Sequence, residues 1–92
     1  MSEMKYVVVE SKEQGKQLFI FPANINHNDF AEILSYIKVG TPQNWNRVYR
    51  EPVSAGFTDG KVCYGRSESL GLASAATDTA LMLKGGAEGG TP

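Results

Sequence analysis

The stretch NHNDFAEILSYIKV, residues 26–39, decides how the rest of the chain is arranged, because it carries the clearest helical period of apolar side chains. Phe30, Ile33, Leu34 and Ile37 fall at i, i+3, i+4 and i+7 and would share one helix face. With Asn26 as N-cap, Asp29 stands at N3 near the positive end of the helix dipole, and Ile25 and Phe30 take the hydrophobic-staple positions. Lys38 suits the negative end, Gly40 can adopt the left-handed C′ conformation, and Pro42 forbids continuation. The spacing predicts one main helix over 26–39.

Before that segment, MKYVVVE at 4–10 and QLFIF at 17–21 are rich in β-branched and aromatic residues, and the polar, glycine-containing run between them has the composition of a hairpin loop. Apolar residues stand at both alternations of these strands, so both faces need a cover, from helices or from a second subunit. Pro22 ends the second strand. After the polar connection 41–46, the runs 47–58 and 61–67 flank Asp59-Gly60, a two-residue hairpin signal. That turn would set Phe57 opposite Val62 and Ala55 opposite Tyr64, with a bulge or an edge near Pro52. Ser74 is positioned to cap a short helix over 75–84.

The resulting order is ββαββα. It predicts an α+β fold: a single small domain over 1–84, with an antiparallel sheet of two hairpins, the main helix packed on one face and a short C-terminal helix. Residues 85–92, GGAEGGTP, have the composition of a flexible tail.

At 92 residues the chain has the size of one domain, with 41% hydrophobic and 21% charged residues and a formal net charge of −1. That balance supplies no positive field for packaging nucleic acid. The start lacks the basic and apolar regions of a secretory signal, and a cytoplasmic location is expected. Cys63 is the one cysteine, which excludes an intrachain disulfide and a cysteine-built zinc cage. Neither a metal site nor a cofactor is expected.

His27, the lone histidine, reads as a surface or capping residue at a helix start, and Cys63 as a structural cysteine. The run GRSES at 65–69 lacks the final glycine of a nucleophile elbow, so it gives no support to a hydrolase. Trp45, Arg47, Tyr49, Arg50, Tyr64 and Arg66 form the one aromatic and basic concentration. Such residues anchor protein interfaces. Trp45, Arg47, Arg50, Tyr64 and Arg66 could also hold single-stranded nucleic acid, with bases on rings and guanidiniums on phosphates.

The stretch 53–82, with its SAGF and YGRSESLGL runs and the pair Ser74 and Asp78, together with the opening KYVVVES and the NW of the middle segment, resembles small phage or prophage-encoded proteins of unknown function. It departs from them where Ala75-Ala76 follows Ser74. The resemblance implies an accessory role exerted by binding and brings no catalytic residue with it. Three readings follow. The first is a non-enzymatic, phage-type accessory protein that works by protein contacts or as a homodimer, and the second is a module for single-stranded nucleic acid. The third is a small-molecule enzyme, which requires a pocket near His27 or residues 67–69 and a perturbed histidine titration.

Overall fold

The computed structural model describes residues 3–12 and 14–86. Its backbone is dominated by strands. β1 (Met4–Ser11) and β2 (Gly15–Phe21) form the first hairpin, with Val8 opposite Leu18 and Tyr6 opposite Ile20. Gly15, at φ 68°, makes the left-handed turn into β2, and the Ser11 hydroxyl accepts from the Gln14 amide at 3.0 Å. α1 (His27–Ile33) follows, then the hairpin of β3 (Tyr36–Thr41) and β4 (Asn44–Tyr49). β5 (Glu51–Thr58) returns antiparallel to β1 and pairs on its other side with β6 (Cys63–Tyr64). β7 (Arg66–Ser67) and β8 (Leu72–Ala73) form a small pair, and α2 (Asp78–Leu81) runs into a π-helical stretch, Met82–Gly86. The main sheet has the order β2-β1-β5-β6.

The two-sided apolar pattern of β1 has the consequence its composition implies. Val7 and Val9 point into one cluster with Phe21, Leu34 and Ala55, covered by Phe30 of α1 and by Leu70 and Leu72 of the β7–β8 unit. Tyr6 and Val8 point the other way, against Leu18 and Met82, under the C-terminal segment. The covers come from the chain itself. Full burial of each such valine stabilises the fold by about 1.5–3 kcal/mol. Between Val8 and Val9 the pairing with β5 slips, and Pro52 lies opposite Val9 while Val53 is left over, the bulge expected near Pro52.

The α+β, ββαββα arrangement is overturned. α1 begins where the sequence places it, after an extended Asn26, although the Asn26 side chain makes no capping bond. It stops at Ile33, seven residues long, and the second half of the expected helix is β3. Tyr36, Ile37, Val39 and Thr41 favour strand on propensity, and the segment 44–49 supplies a partner for every one of them. Ile33, assigned to the buried helix face, is 71% exposed. The expected strand over 47–58 is also two strands in two different sheets, broken at Arg50.

The second hairpin has a longer turn than Asp-Gly implies: Phe57 faces Tyr64 and Thr58 faces Cys63. Asp59 Oδ1 accepts from the amides of Lys61 and Val62 at 2.8 and 3.1 Å, which turns four residues rather than two into the loop. At the C-terminal end Thr77, not Ser74, precedes α2, and α2 itself has only four residues. Of the expected tail, Gly85 and Gly86 belong to the π-helical stretch. Residues 87–92 lie outside the described residues.

Candidate functional sites

Two places gather side chains that can bind something. The first is the β3–β4 hairpin, an arm that packs chiefly on itself and makes sparse contact with the other elements. Its register puts Tyr36 opposite Tyr49, Lys38 opposite Arg47 and Gly40 opposite Trp45, so all five side chains share one face. Lys38 Nζ lies 4.4 Å from the centroid of the Trp45 ring, and the Arg47 guanidinium 4.7 Å from that of Tyr36. Tyr36 and Tyr49 are tilted against each other at 5.9 Å. Gly40 has φ 124°, and a side chain there would strike the Asn44 carbonyl, so glycine lets the two strands close. The opposite face carries Ile37, Val39 and Val48, with Val39 46% exposed.

Arg50 anchors the base of this arm. Its amide donates to the Ser35 carbonyl at 2.8 Å, one step beyond the Tyr36–Tyr49 pair. Its side chain turns inward, 8% exposed, where Nε donates to the Leu34 carbonyl at 2.8 Å and Nη1 to Gln17 Oε1 at 3.4 Å. The guanidinium also lies over the Phe19 ring.

The six residues singled out in the sequence therefore separate. Trp45, Arg47 and Tyr49 stand on the arm, Arg50 is packed beneath it, and Tyr64 and Arg66 belong to β6 and β7. Tyr64 stacks on Phe57 and donates its hydroxyl to Glu3, a bond that, with burial as a smaller contribution, pushes the phenol up to about 12. Tyr36 and Lys38 belong to the ladder but were hidden by the helical reading of their segment. The alternation Tyr36, Lys38, Gly40 against Ile37, Val39, Thr41 was the signal that could have found them.

The second place is a cleft of about 330 Å³ lined by Lys5, Asn26, His27, Phe57, Arg66, Ser67, Glu68 and Ser69. Lys5 and Phe57 are a cross-strand pair of β1 and β5. His27 opens α1, while Arg66 and Ser67 come from β7 and Glu68 and Ser69 from its turn. The Ser67 hydroxyl accepts from the Leu70 amide at 3.2 Å and lies 3.3 Å from the Ser69 hydroxyl, which accepts from the Asn28 amide.

His27 is not the surface residue its sequence context implies. It is 4% exposed, set edge-on against Phe21 and Phe57 at ring distances of 5.4 and 5.5 Å. Nε2–H donates to the Gly56 carbonyl at 2.7 Å, so the neutral ring carries its lone pair on Nδ1. Burial lowers the imidazole below its ordinary value, opposed by the Gly56 bond and aided by Lys5. Cys63 is half-buried, and its thiol is raised above its ordinary value by burial first and by Asp78 next.

A third polar group lies in the core. Asp78 accepts from the Tyr6 hydroxyl at 2.6 Å, the Ser54 hydroxyl at 3.0 Å and the Ala75 amide at 2.9 Å. With its three donors in place it holds the C-terminal cap on the sheet.

Searches against protein-family models, curated proteins and solved structures gave no match. Among the described residues, no group of three or more His, Cys, Asp or Glu could hold a metal ion, and no helix is long and apolar enough to cross a membrane.

Proposed function

We propose that the protein is a non-enzymatic accessory protein that binds a protein partner through the β3–β4 arm. The observation that carries this reading is the ladder of Tyr36, Lys38, Trp45, Arg47 and Tyr49 on one exposed face. Tryptophan, tyrosine and arginine are the residues in which interface hot spots concentrate. No acidic residue occurs from Tyr36 to Tyr49, so the partner surface is acidic, with carboxylates meeting Lys38 and Arg47 and an apolar contact for Trp45. An isolated two-stranded ribbon is of marginal stability in water, and a partner laid along the arm would hold it in place. The resemblance to small phage-encoded proteins accords with such an accessory role.

Single-stranded nucleic acid is the competing occupant. Two features favour protein. Lys38 and Arg47 already lie against the Trp45 and Tyr36 rings, where bases would stack. The arm also offers only two cations for phosphates, too few for strong backbone attraction.

The test is capture from a lysate of the source organism with the wild-type chain, Arg47→Glu and Trp45→Ala, each with and without nuclease. A protein retained after nuclease by the wild type and lost by both variants supports the reading. One retained equally by the variants, or lost on nuclease treatment, overturns it. A light-scattering mass of two chains that returns to one in Trp45→Ala would make the partner a second copy and replace the acidic surface proposed here.

A further inference from the structure

We propose that the cleft between the first turn of α1 and the β7–β8 unit is a binding site for a small organic carboxylate that also carries a hydroxyl or N–H donor. The site is separate from the arm and independent of it.

The argument begins with His27. The residue is 4% exposed, and its Nε2–H is committed to the Gly56 carbonyl. Among the described residues Nε2 carries the one hydrogen bond of this ring, and no side-chain nitrogen or oxygen shut off from solvent lacks a partner. Nδ1 therefore keeps contact with solvent, on a ring that lines the cleft. With the tautomer fixed by Gly56, Nδ1 presents a lone pair. It takes a donor, not an acceptor.

The other walls ask for the opposite. Lys5 and Arg66 against Glu68 leave the cleft with an excess of one positive charge. One of the three donors of Lys5 is used on the Ile25 carbonyl at 2.9 Å, and two are left. The hydroxyls of Ser67 and Ser69 hold two protons between them, and their mutual contact at 3.3 Å consumes one. The second is available to an incoming oxygen. An anionic, oxygen-bearing group satisfies Lys5, Arg66 and this hydroxyl together, and a planar carboxylate matches the guanidinium fork. Phe57 supplies an apolar wall, and the volume lies at the low end of small-molecule sites. Charge, donor and apolar surface together describe a small hydroxy acid or N-acyl amino acid.

His27 is the chain's single histidine, so its imidazole ¹⁵N signals can be followed without ambiguity. The probes are mandelate, lactate and N-acetylglycine, each titrated by NMR, with phenylacetate lacking the hydroxyl, mandelamide lacking the charge, and inorganic phosphate as comparisons. The expected result is a saturable shift with at least one of the three carboxylates, larger at Nδ1 than at Nε2. Phenylacetate and mandelamide should each bind about tenfold more weakly than mandelate, the effect of one hydrogen bond or one charge contact. Arg66→Gln, at an exposed position that leaves the core untouched, should weaken binding by a similar factor. The proposal is overturned by the absence of a saturable His27 shift with all three carboxylates, by binding that Arg66→Gln leaves unchanged, or by inorganic phosphate binding more tightly than any of them.

Discussion

The Tyr6 hydroxyl donates to Asp78 Oδ2 at 2.6 Å across 72 positions of the chain, and the same carboxylate receives Ser54 and the Ala75 amide. One side chain thus joins β1, β5 and the C-terminal segment. Asp78→Ala leaves three donors without an acceptor and should cost about 3 kcal/mol or more. Tyr6→Phe removes one bond and should cost about 1–2 kcal/mol. Urea denaturation of both variants checks the order, and equal losses would mean that the network is not centred on Asp78. Burial first, then Asp78, hold the Tyr6 phenol above its ordinary value of 10. A folded-state value raised in this way gives stability that is complete below pH ~10 and is lost as pH rises beyond it. Tyr6→Phe should therefore show a shallower alkaline decline than the wild type.

His27 titrates in the opposite sense. Its folded-state value lies below the ordinary 6.5, so the unfolded chain takes up the proton first as pH falls. Stability is full above about pH 6.5 and decreases below it, with a slope of at most ~1.4 kcal/mol per pH unit. The decrease ends once the folded ring is itself protonated. Thermal melts between pH 7.5 and 5 should display the slope, and His27→Gln should flatten it while lowering stability at neutral pH.

Arg50 should behave as a structural residue. Arg50→Ala frees the Leu34 carbonyl and Gln17 and should cost about 1.5–3 kcal/mol, the range for a bond to a charged group. Arg50→Lys should rescue little, since one ammonium cannot reproduce the planar fork that reaches both partners. Chemical denaturation of the two variants against wild type decides this.

On the arm, Trp45→Ala and Arg47→Glu should change global stability by less than about 0.5 kcal/mol, as expected of exposed positions. Gly40→Ala forces a side chain onto the Asn44 carbonyl at a backbone angle that favours glycine. Hydrogen exchange should then quicken in residues 36–49 while the β1 amides keep their protection.

What the sequence discloses follows the range of the forces involved. The start of α1 is legible because Ile25, Asn26, Asp29 and Phe30 act within one turn. The end of α1 is not, because Phe30, Ile33, Leu34 and Ile37 keep a helical period while Tyr36, Ile37, Lys38 and Val39 alternate at a period of two. Only pairing with 44–49 selects between them. The covered faces of β1 could be expected from Val7, Val8 and Val9, but the identity of the covers could not. The register beyond Asp59 depended on a carboxylate catching two amides rather than on the Asp-Gly dipeptide. A pocket near His27 or residues 67–69 was named as what an enzyme would require, and the cleft joins both stretches; the burial of His27 was not legible, since Phe21, Phe57 and the Gly56 carbonyl reach the ring only in the folded chain. Trp45, Arg47 and Tyr49 were visible from composition, whereas their ladder needed the strand register.

The sheet face that holds Tyr6, Val8 and Leu18 is closed by Asp78 and Met82. During synthesis β2, β1 and β5 can pair once Thr58 has emerged, yet this face stays open until residue 82 has left the ribosome. A nascent chain halted before that point presents a ready-made apolar surface with a free β2 edge beside it, the kind of intermediate that chaperones recognise and that aggregates without them.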